Sequence, residues 1–517
     1  MSILNNITCN NFAGIKRVSS DFSSTQITAS DLQNVELFHT GVNSGVGIRT
    51  MKGNTEFLTL GSQNEHIINI FESVQGDTTY FFVHTETDTE GRLYLLDKIS
   101  STLYLKKDGL KLSGKSCGVD FAQGWNDLFV FSTGKEILTV QVGVYDEDGV
   151  SNEVVTFSPK DVDNRDVKGF GLVVFDGRLW VFNGSVLWYS VKEDCYDFST
   201  EEVGIVTSAG YIEFSKNITA IYPYLDALAV FHRDSSCLIT INEDYSYSMT
   251  DESLGGCAGM YSLIFHGTEL YFYDDTKKGV FSFSQVINGD KTLGNNIALD
   301  VQDELMSIDS SNLDMIKTLS VVQSDKNEVW FLLPTADNNF STILIFDYIN
   351  KQWLKRKSQK LVDIKIIDNV FYSATPNTIL YEYEGESFNG EFIESYYNCS
   401  VLNLYSNNTI KTIYNPPLMT LDKDSFNDFY ISYVKNYDYL KPPLVKRIVS
   451  KMVRDLFYWD ISFWDSSARF KPKELISTVK MPISTFKTLG ISFYTTGLQQ
   501  GFAIKNIEFQ KIKVKNV

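Results

Sequence analysis

The chain reads as an all-β protein: a β-propeller of six or seven blades followed by a strand-rich C-terminal domain. Three observations predict this. The first is the stretch VFDGRLWVFNGSVLWYS at residues 174–190. Asp176 with Gly177, then Asn183 with Gly184, are two-residue turn signals between apolar runs, so the stretch spells three short antiparallel strands in a row. A meander this short cannot bury its apolar face alone and needs neighbours like itself. The second observation is that such neighbours recur. Turn-then-apolar phrases carry Tyr80, Leu128, Leu179, Leu228, Leu270, Val329 and Val370, at spacings of 48, 51, 49, 42, 59 and 41 residues. Propeller blades repeat at about 40–50 residues, with four strands each. The third is composition: 28 Tyr and 36 Phe against 10 Pro, a bias that suits pleated, half-buried surfaces.

Taken in order, residues 1–60 precede the first clear repeat. Residues 32–38 form a strand candidate, a Gly-rich turn follows, and residues 46–51 form another. An open sheet edge invites aggregation, so this N-terminal segment is assigned to closing the propeller. Residues 61–395 hold the repeats. Within them, residues 242–256 are a polar, acidic loop, and residues 284–311 include a short helix near 300–306. Residues 342–356 read as an apolar strand, a turn over 347–351 and a strand opening on Trp353. After residue 395 the texture changes. Pro416, Pro417, Pro442 and Pro443 interrupt it, and Lys and Arg become more frequent after Arg356. Residues 396–517 are therefore read as the strand-rich C-terminal domain or extension. At the very end Ile507 and Phe509 share one alternation phase, whereas Ile512 and Val514 share the other. A bulge or bend near Gln510 and Lys511 reconciles them.

With 517 residues the chain is long enough for a large core and a second domain. Its formal net charge is −18, so non-specific affinity for nucleic-acid phosphate is not expected. The six cysteines, Cys9, Cys117, Cys195, Cys237, Cys257 and Cys399, are scattered without a CxxC pair, as in a protein made with reduced thiols. The N-terminus lacks the pattern of a signal peptide, and no apolar run approaches the ~20 residues of a membrane span. Without a secretory route, the N-x-S/T triplets at Asn183, Asn217 and Asn398 are chance in an Asn-rich chain.

Candidate chemistry is sparse. The histidines, His39, His66, His84, His232 and His266, show no metal-ligand spacing, and core or surface roles account for them more simply. There is no GxSxG, HExxH or phosphate loop. Asp146, Glu147, Asp148 and Gly149 form one acidic turn, and Asp274 with Asp275 another. Either could hold a hard cation, but Asp and Gly are also what hairpin turns use. A glycosidase-type carboxylate pair needs to meet only in space, and nothing in the sequence selects one. The abundant Tyr and Phe could line a sugar site but are more simply core. Residues 441–454 (KPPLVKRIVSKMVR) are a basic segment that could meet phosphate or an acidic partner, or be one polar face of an element. No catalytic, cofactor-binding or metal-binding residue is assigned.

Five phrases carry a resemblance. They are DLQNVELFHTGVNSGVGIRTMKG (31–53), VVFDGRLWVFNGSVLWYSVKEDCYDFS (173–199), SLGGCAGMYSLIFHGTELYFYDDTKKGVFSFS (253–284), ILIFDYINKQWLKR (343–356) and NVFYSATPNTILYEYEGE (369–386). Their order resembles that of the tail-nozzle proteins of short-tailed bacteriophages, which include head-completion β-propellers that stabilise packaged DNA. The resemblance implies a virion structural role in the phage tail, after synthesis in the host cytoplasm. Six copies would encircle the DNA channel below the head-to-tail connector, retain the genome and form part of its exit path. The implied partners are further copies of the chain in a ring, the connector or adaptor ring, other tail proteins or fibres, and DNA that slides past without sequence-specific binding. An acidic channel wall suits that task. The resemblance implies no catalysis and no cofactor, so the chain is expected not to be an enzyme.

Two other readings stand beside it. One is a glycan-binding or glycan-cleaving propeller. The other is an intracellular interaction propeller, which would show cleaner repeats with a recurrent Trp-Asp dipeptide. Here Trp459 with Asp460 and Trp464 with Asp465 lie outside the repeats.

Overall fold

A computed structural model describes the chain except residues 1, 5–6, 18–25, 41–44, 63, 147–148, 202–207, 243–245, 251–252, 284–295, 309, 324–325, 335–338, 403, 405–408, 423–424, 426, 437–441, 451–477, 499 and 517. The chain divides into two compact units. One comprises Glu56–Ile343 and Ser358–Glu382; the other comprises Met1–Thr55, Leu344–Lys357 and Tyr383–Val517. The three consecutive segments expected from the sequence, 1–60, 61–395 and 396–517, follow chain order, whereas the units interleave.

The first unit is a β-propeller in which seven blades are counted among the described residues; six are separate sheets, and the strands of blade 6 belong to a 16-stranded sheet. Blade 1 runs through His66–Gln75, Thr78–Glu86, Gly91–Asp97 and Thr102–Leu110. Blade 2 is Cys117–Gln123, Asn126–Ser132, Ile137–Asp146 and Gly149–Phe157; blade 3 is Gly171–Phe175, Arg178–Asn183, Val186–Tyr189 and Gly210–Glu213. Blade 4 is Ile218–Tyr224, Ala227–His232, Ser235–Ile241 and Tyr247–Met249; blade 5 has Leu263–His266, Glu269–Asp274 and Gly279–Ser282. Blade 6 opens with Lys317–Gln323 and Lys326–Leu333, and blade 7 with Asp363–Ile367, Val370–Ala374 and Thr378–Glu382.

Each repeat anchor read from the sequence lies on the second strand of its blade. That strand is buried on both faces between neighbouring blades, so it shows as a continuous apolar run rather than an alternating one. Ala227–His232 is buried throughout. In blade 3, Leu179, Trp180 and Val181 are all fully covered. The turns obey local chemistry. Asp176 and Gly177 both take positive φ, as do Asp368 and Asn369, the mirror-image turn that matches strand twist.

The ring closes between its first and last blades. The strand Asn54–Thr59 is the fourth member of the blade 7 sheet. Leu60 donates its N–H to the Asn377 carbonyl at 2.9 Å, and a core of Ile67, Phe81, Ile367 and Tyr372 fills the space between blades 7 and 1.

The second unit pairs strands from both termini. Ser2–Leu4 pairs with Ile512–Asn516, and Ile7–Cys9 with Ala503–Phe509. Gln26–Gln33 lies beside Asn11–Ile15 in parallel and beside Tyr396–Cys399 antiparallel. Asn34, at positive φ, separates Gln26–Gln33 from Val35–His39. The phase change at the C-terminus is a change of sheet: Lys511 takes positive φ, and the chain leaves the partners of Ala503–Phe509 for Thr409–Ile413. The expected short helix exists as a 3₁₀ turn, Leu299–Val301, running into the α-helix Gln302–Met306. Among the described residues no helix is long and apolar enough to cross a membrane.

Candidate functional site: the axis of the propeller

The Gly-rich phrase before blade 5 positions a group that meets several blades of the propeller. At Gly256 a Cβ would lie 2.0 Å from the Arg233 carbonyl oxygen, so only glycine allows this approach. The loop is then pinned by backbone and side-chain bonds. Cys257 donates its N–H to the His232 carbonyl, Ala258 donates to Tyr273, and Ser262 Oγ accepts from the Gly259 N–H. This anchoring delivers Met260 and Tyr261 to the middle of the ring.

Tyr261 precedes blade 5 yet meets five other blades. Its hydroxyl donates to the Ser116 carbonyl at the entrance of blade 2 and accepts from Asn69 Nδ2 of blade 1 at 3.3 Å. Its ring meets Phe170, next to blade 3, at 5.8 Å. Lys317 Nζ of blade 6 lies 3.8 Å from the ring centroid, and Lys365 Nζ of blade 7 lies 5.7 Å from it. Met260 packs against the apolar cores that hold blades 2 to 5 together. A side-chain pair that reaches every blade lies on the axis. Burial raises the Tyr261 pKa well above its ordinary value, with Cys117 and the Asp363 carboxylate adding to the effect, so the group remains a protonated donor.

Around this plug the polar groups are interlocked. Asn69 donates to the Ser116 carbonyl at 2.8 Å and accepts from Lys317 Nζ at 3.1 Å. Asp363 accepts the backbone N–H groups of Ile70 and Ile364, both at 2.9 Å. His84 is fully buried, with Nδ1 2.8 Å from Ser116 Oγ. Burial lowers its pKa to about 3, so the imidazole is neutral. Beside the plug is a cleft of about 100 Å³, lined by Lys115, Lys317, Lys360 and Asn69 together with Leu332 and Val362. The Cys117 thiol nearby is buried and pushed upward in pKa, so it is a poor nucleophile.

The residues singled out in the sequence fare differently. Asp274 and Asp275 come together, but with amines and guanidinium: Lys277 meets Asp274 at 3.4 Å, while Arg233 and Lys278 each meet Asp275 at 2.6 Å. Burial alone would raise the Asp275 pKa; these ion pairs hold it below the usual value. Glu147 and Asp148 of the other acidic turn lie outside the described residues, as do the Trp-Asp dipeptides and residues 451–454. Of the basic segment, Arg447 is clamped to Asp428 by two bonds of 2.9 and 2.7 Å. His66 meets Asn377, His232 meets the Asn217 carbonyl, and His266 meets Ser320 and Asn327. All six cysteines are buried and none is in a disulfide, and burial pushes Cys9, Cys195 and Cys257 up to about 12. No group of three or more metal-ligating side chains is found among the described residues. Sequence reasoning missed the axial cluster, whose one local signal is the glycine run before Met260.

The second unit has a cavity of its own, of about 500 Å³, bordered by Arg49, Met51, Ser395, Gln500 and Phe502. On its wall Glu36 accepts from Arg49 Nε at 2.6 Å.

No protein-family model matches the chain, and no curated protein matches it. Solved structures do. Virginiamycin B lyase from Staphylococcus aureus is similar over 62% of this chain and 96% of its own, at 12% identity and a TM-score of 0.40. A catalytically inactive form of that lyase with quinupristin gives the same coverage and identity at a TM-score of 0.38. Hsv2 from Kluyveromyces lactis is similar over 54% of this chain and 82% of its own, at 13% identity and 0.28. The expectation that the chain is not an enzyme is corrected on this point, since two of these structures are of a lyase. Likeness at this distance is one of fold and transfers no reaction to this chain.

Proposed function

We propose that this chain is a structural protein of a phage tail that forms a ring with copies of itself around the DNA channel, retains the packaged genome and forms part of its exit path. The observation that carries the reading is the order of the five phrases along the chain. Two of them fall on the blade 3 hairpins and on the loop that places Met260 and Tyr261. The filled axis supports the same reading. DNA could not thread a propeller plugged by these side chains, so a channel has to be built between copies, on their outer surfaces. A net charge of −18 favours sliding over sticking at such a wall.

Immunogold electron microscopy of virions from the source, with antibody against the whole chain, tests this first. Gold at the tail or connector is the expected result. Gold nowhere on particles would overturn the reading and turn attention to glycan arrays. A second test reverses acidic residues on the wall found to face DNA; ejection is expected to slow, and unchanged kinetics would remove the sliding argument.

A further inference from the structure

We propose that one end of the propeller is a docking face for a second copy of this chain, which inserts its exposed basic strand Leu444–Ser450. On blades 6, 7, 1 and 2 the turns at this end stand side by side. Gln323 Nε2 of blade 6 donates to the Asn369 carbonyl of blade 7 at 2.9 Å. The Asp368 N–H of blade 7 donates to Glu72 Oε1 of blade 1 at 3.0 Å, and Lys98, in the turn before the last strand of blade 1, meets Asp368 at 2.8 Å. The Gly76 N–H of blade 1 donates to Asp127 Oδ2 of blade 2 at 2.8 Å. These bonds fix one continuous rim, and apolar side chains stand out from it. Trp125 and Ile99 are almost wholly exposed, and Val74, Val322 and Val370 are exposed as well. A lone exposed apolar side chain is ordinary; a set of them on one braced rim marks an interaction surface. Trp is also among the residues that most often carry binding energy.

Charge selects the occupant. The carboxylates of Glu72, Asp77, Asp97, Asp127 and Asp368 stand among these tips. Against them are the ammonium groups of Lys98, on Asp368, and Lys326, 4.0 Å from Glu328. Rim against rim would set like charges face to face, and an anionic lipid surface meets the same repulsion. The second unit carries the complement. Its strand Leu444–Ser450, paired with Asn427–Lys435, exposes Leu444, Val445 and Val449. Lys446 Nζ donates to the Lys480 carbonyl at 3.2 Å, so two lysines lie together here, beside Arg447 on Asp428. Basic and apolar side chains are interleaved on the strand as acidic and apolar ones are on the rim. A contact of rim to strand is heterologous: each copy offers one face and fills the other, so the contact repeats and can close a ring. This deepens the ring reading by naming its contact, yet it rests on the chain's own surfaces and is tested without virions.

Analytical ultracentrifugation of the purified full chain tests it. Association that grows with concentration and weakens with added sodium chloride is expected. Trp125→Ser with Ile99→Ser alters the rim, and Leu444→Ser with Val445→Ser alters the strand; all four positions are exposed, so the fold does not depend on them. Each double variant alone is expected to associate more weakly by about tenfold or more. Mixed in equal amounts, the two are expected to form dimers that grow no further, because one intact rim meets one intact strand and the remaining faces are both altered. A parent chain that stays monomeric, a mixture no different from its components, or a strand variant that associates like the parent would each overturn the proposal. Co-sedimentation with phosphatidylcholine vesicles that the rim variant loses would also overturn it and assign the rim to lipid. Gold on the tail with a monomeric chain would remove this contact and leave the virion reading; the expected association in a chain absent from particles would do the reverse.

Discussion

The propeller and the second unit are both built mainly of antiparallel strands, yet they are wired differently. In the propeller a strand pairs with the next strand along the chain. In blade 3, Phe175 faces Arg178 across a two-residue turn. In the second unit Ser2 faces Val514, and Tyr397 faces Leu32. Local pairing leaves its mark in the sequence as turn residues at fixed offsets. Pairing across hundreds of residues leaves only an alternation that fits many partners.

The comparison predicts that core damage stays within its unit. Trp180 and Trp353 are equally buried, one in each. Trp180→Ala and Trp353→Ala should each cost about 3–5 kcal/mol. Urea unfolding should show Trp180→Ala lowering one transition and Trp353→Ala another. A single transition lowered alike by both would erase the distinction.

A smaller effect concerns acid and belongs to the propeller alone. His84 is held neutral in the fold, with a pKa of about 3 against an ordinary 6.5. The unfolded chain takes up that proton first, so stability is intact above pH 6.5 and falls as pH drops toward 3. Between pH 7 and pH 5 the loss should be about 2 kcal/mol. The His84→Asn variant should show a shallower decline in stability with acid; an identical decline would remove His84 as its source.

Of similar size is the effect of Tyr397→Phe in the second unit. The hydroxyl bonds to the carbonyls of Ala13 and Ile27 at 2.7 and 2.8 Å, tying three strands far apart in sequence. Its removal should cost about 1–3 kcal/mol, read in the second unit's transition, because two buried carbonyls lose a donor. The smallest effect is expected at the ring seam. Lys98 of blade 1 meets Asp368 of blade 7 at 2.8 Å, but both are solvent-exposed in part. Lys98→Ala should change stability by less than about 1 kcal/mol. A larger loss in chemical denaturation would mean that closure depends on this pair rather than on the apolar seam and the strand Asn54–Thr59.

The sequence by itself determined the all-β class, the blades and their period. Each blade's second strand is an apolar run behind a turn, and both features are encoded within about ten residues. It also determined that the C-terminal alternation must break near Lys511. Only the tertiary structure decided how far the N-terminal strands travel: Ser2–Leu4, Ile7–Cys9 and Gln26–Gln33 join C-terminal ones, and among the described N-terminal strands only Asn54–Thr59 enters blade 7. Only the tertiary structure brought Lys115, Lys317, Lys360 and Tyr261 together, because their meeting depends on ring closure and leaves no spacing in the chain. The stretch that ends at Gly256 was legible as a polar loop. That it delivers a plug to the axis was not, since a loop's destination is set by the strands around it rather than by its own residues.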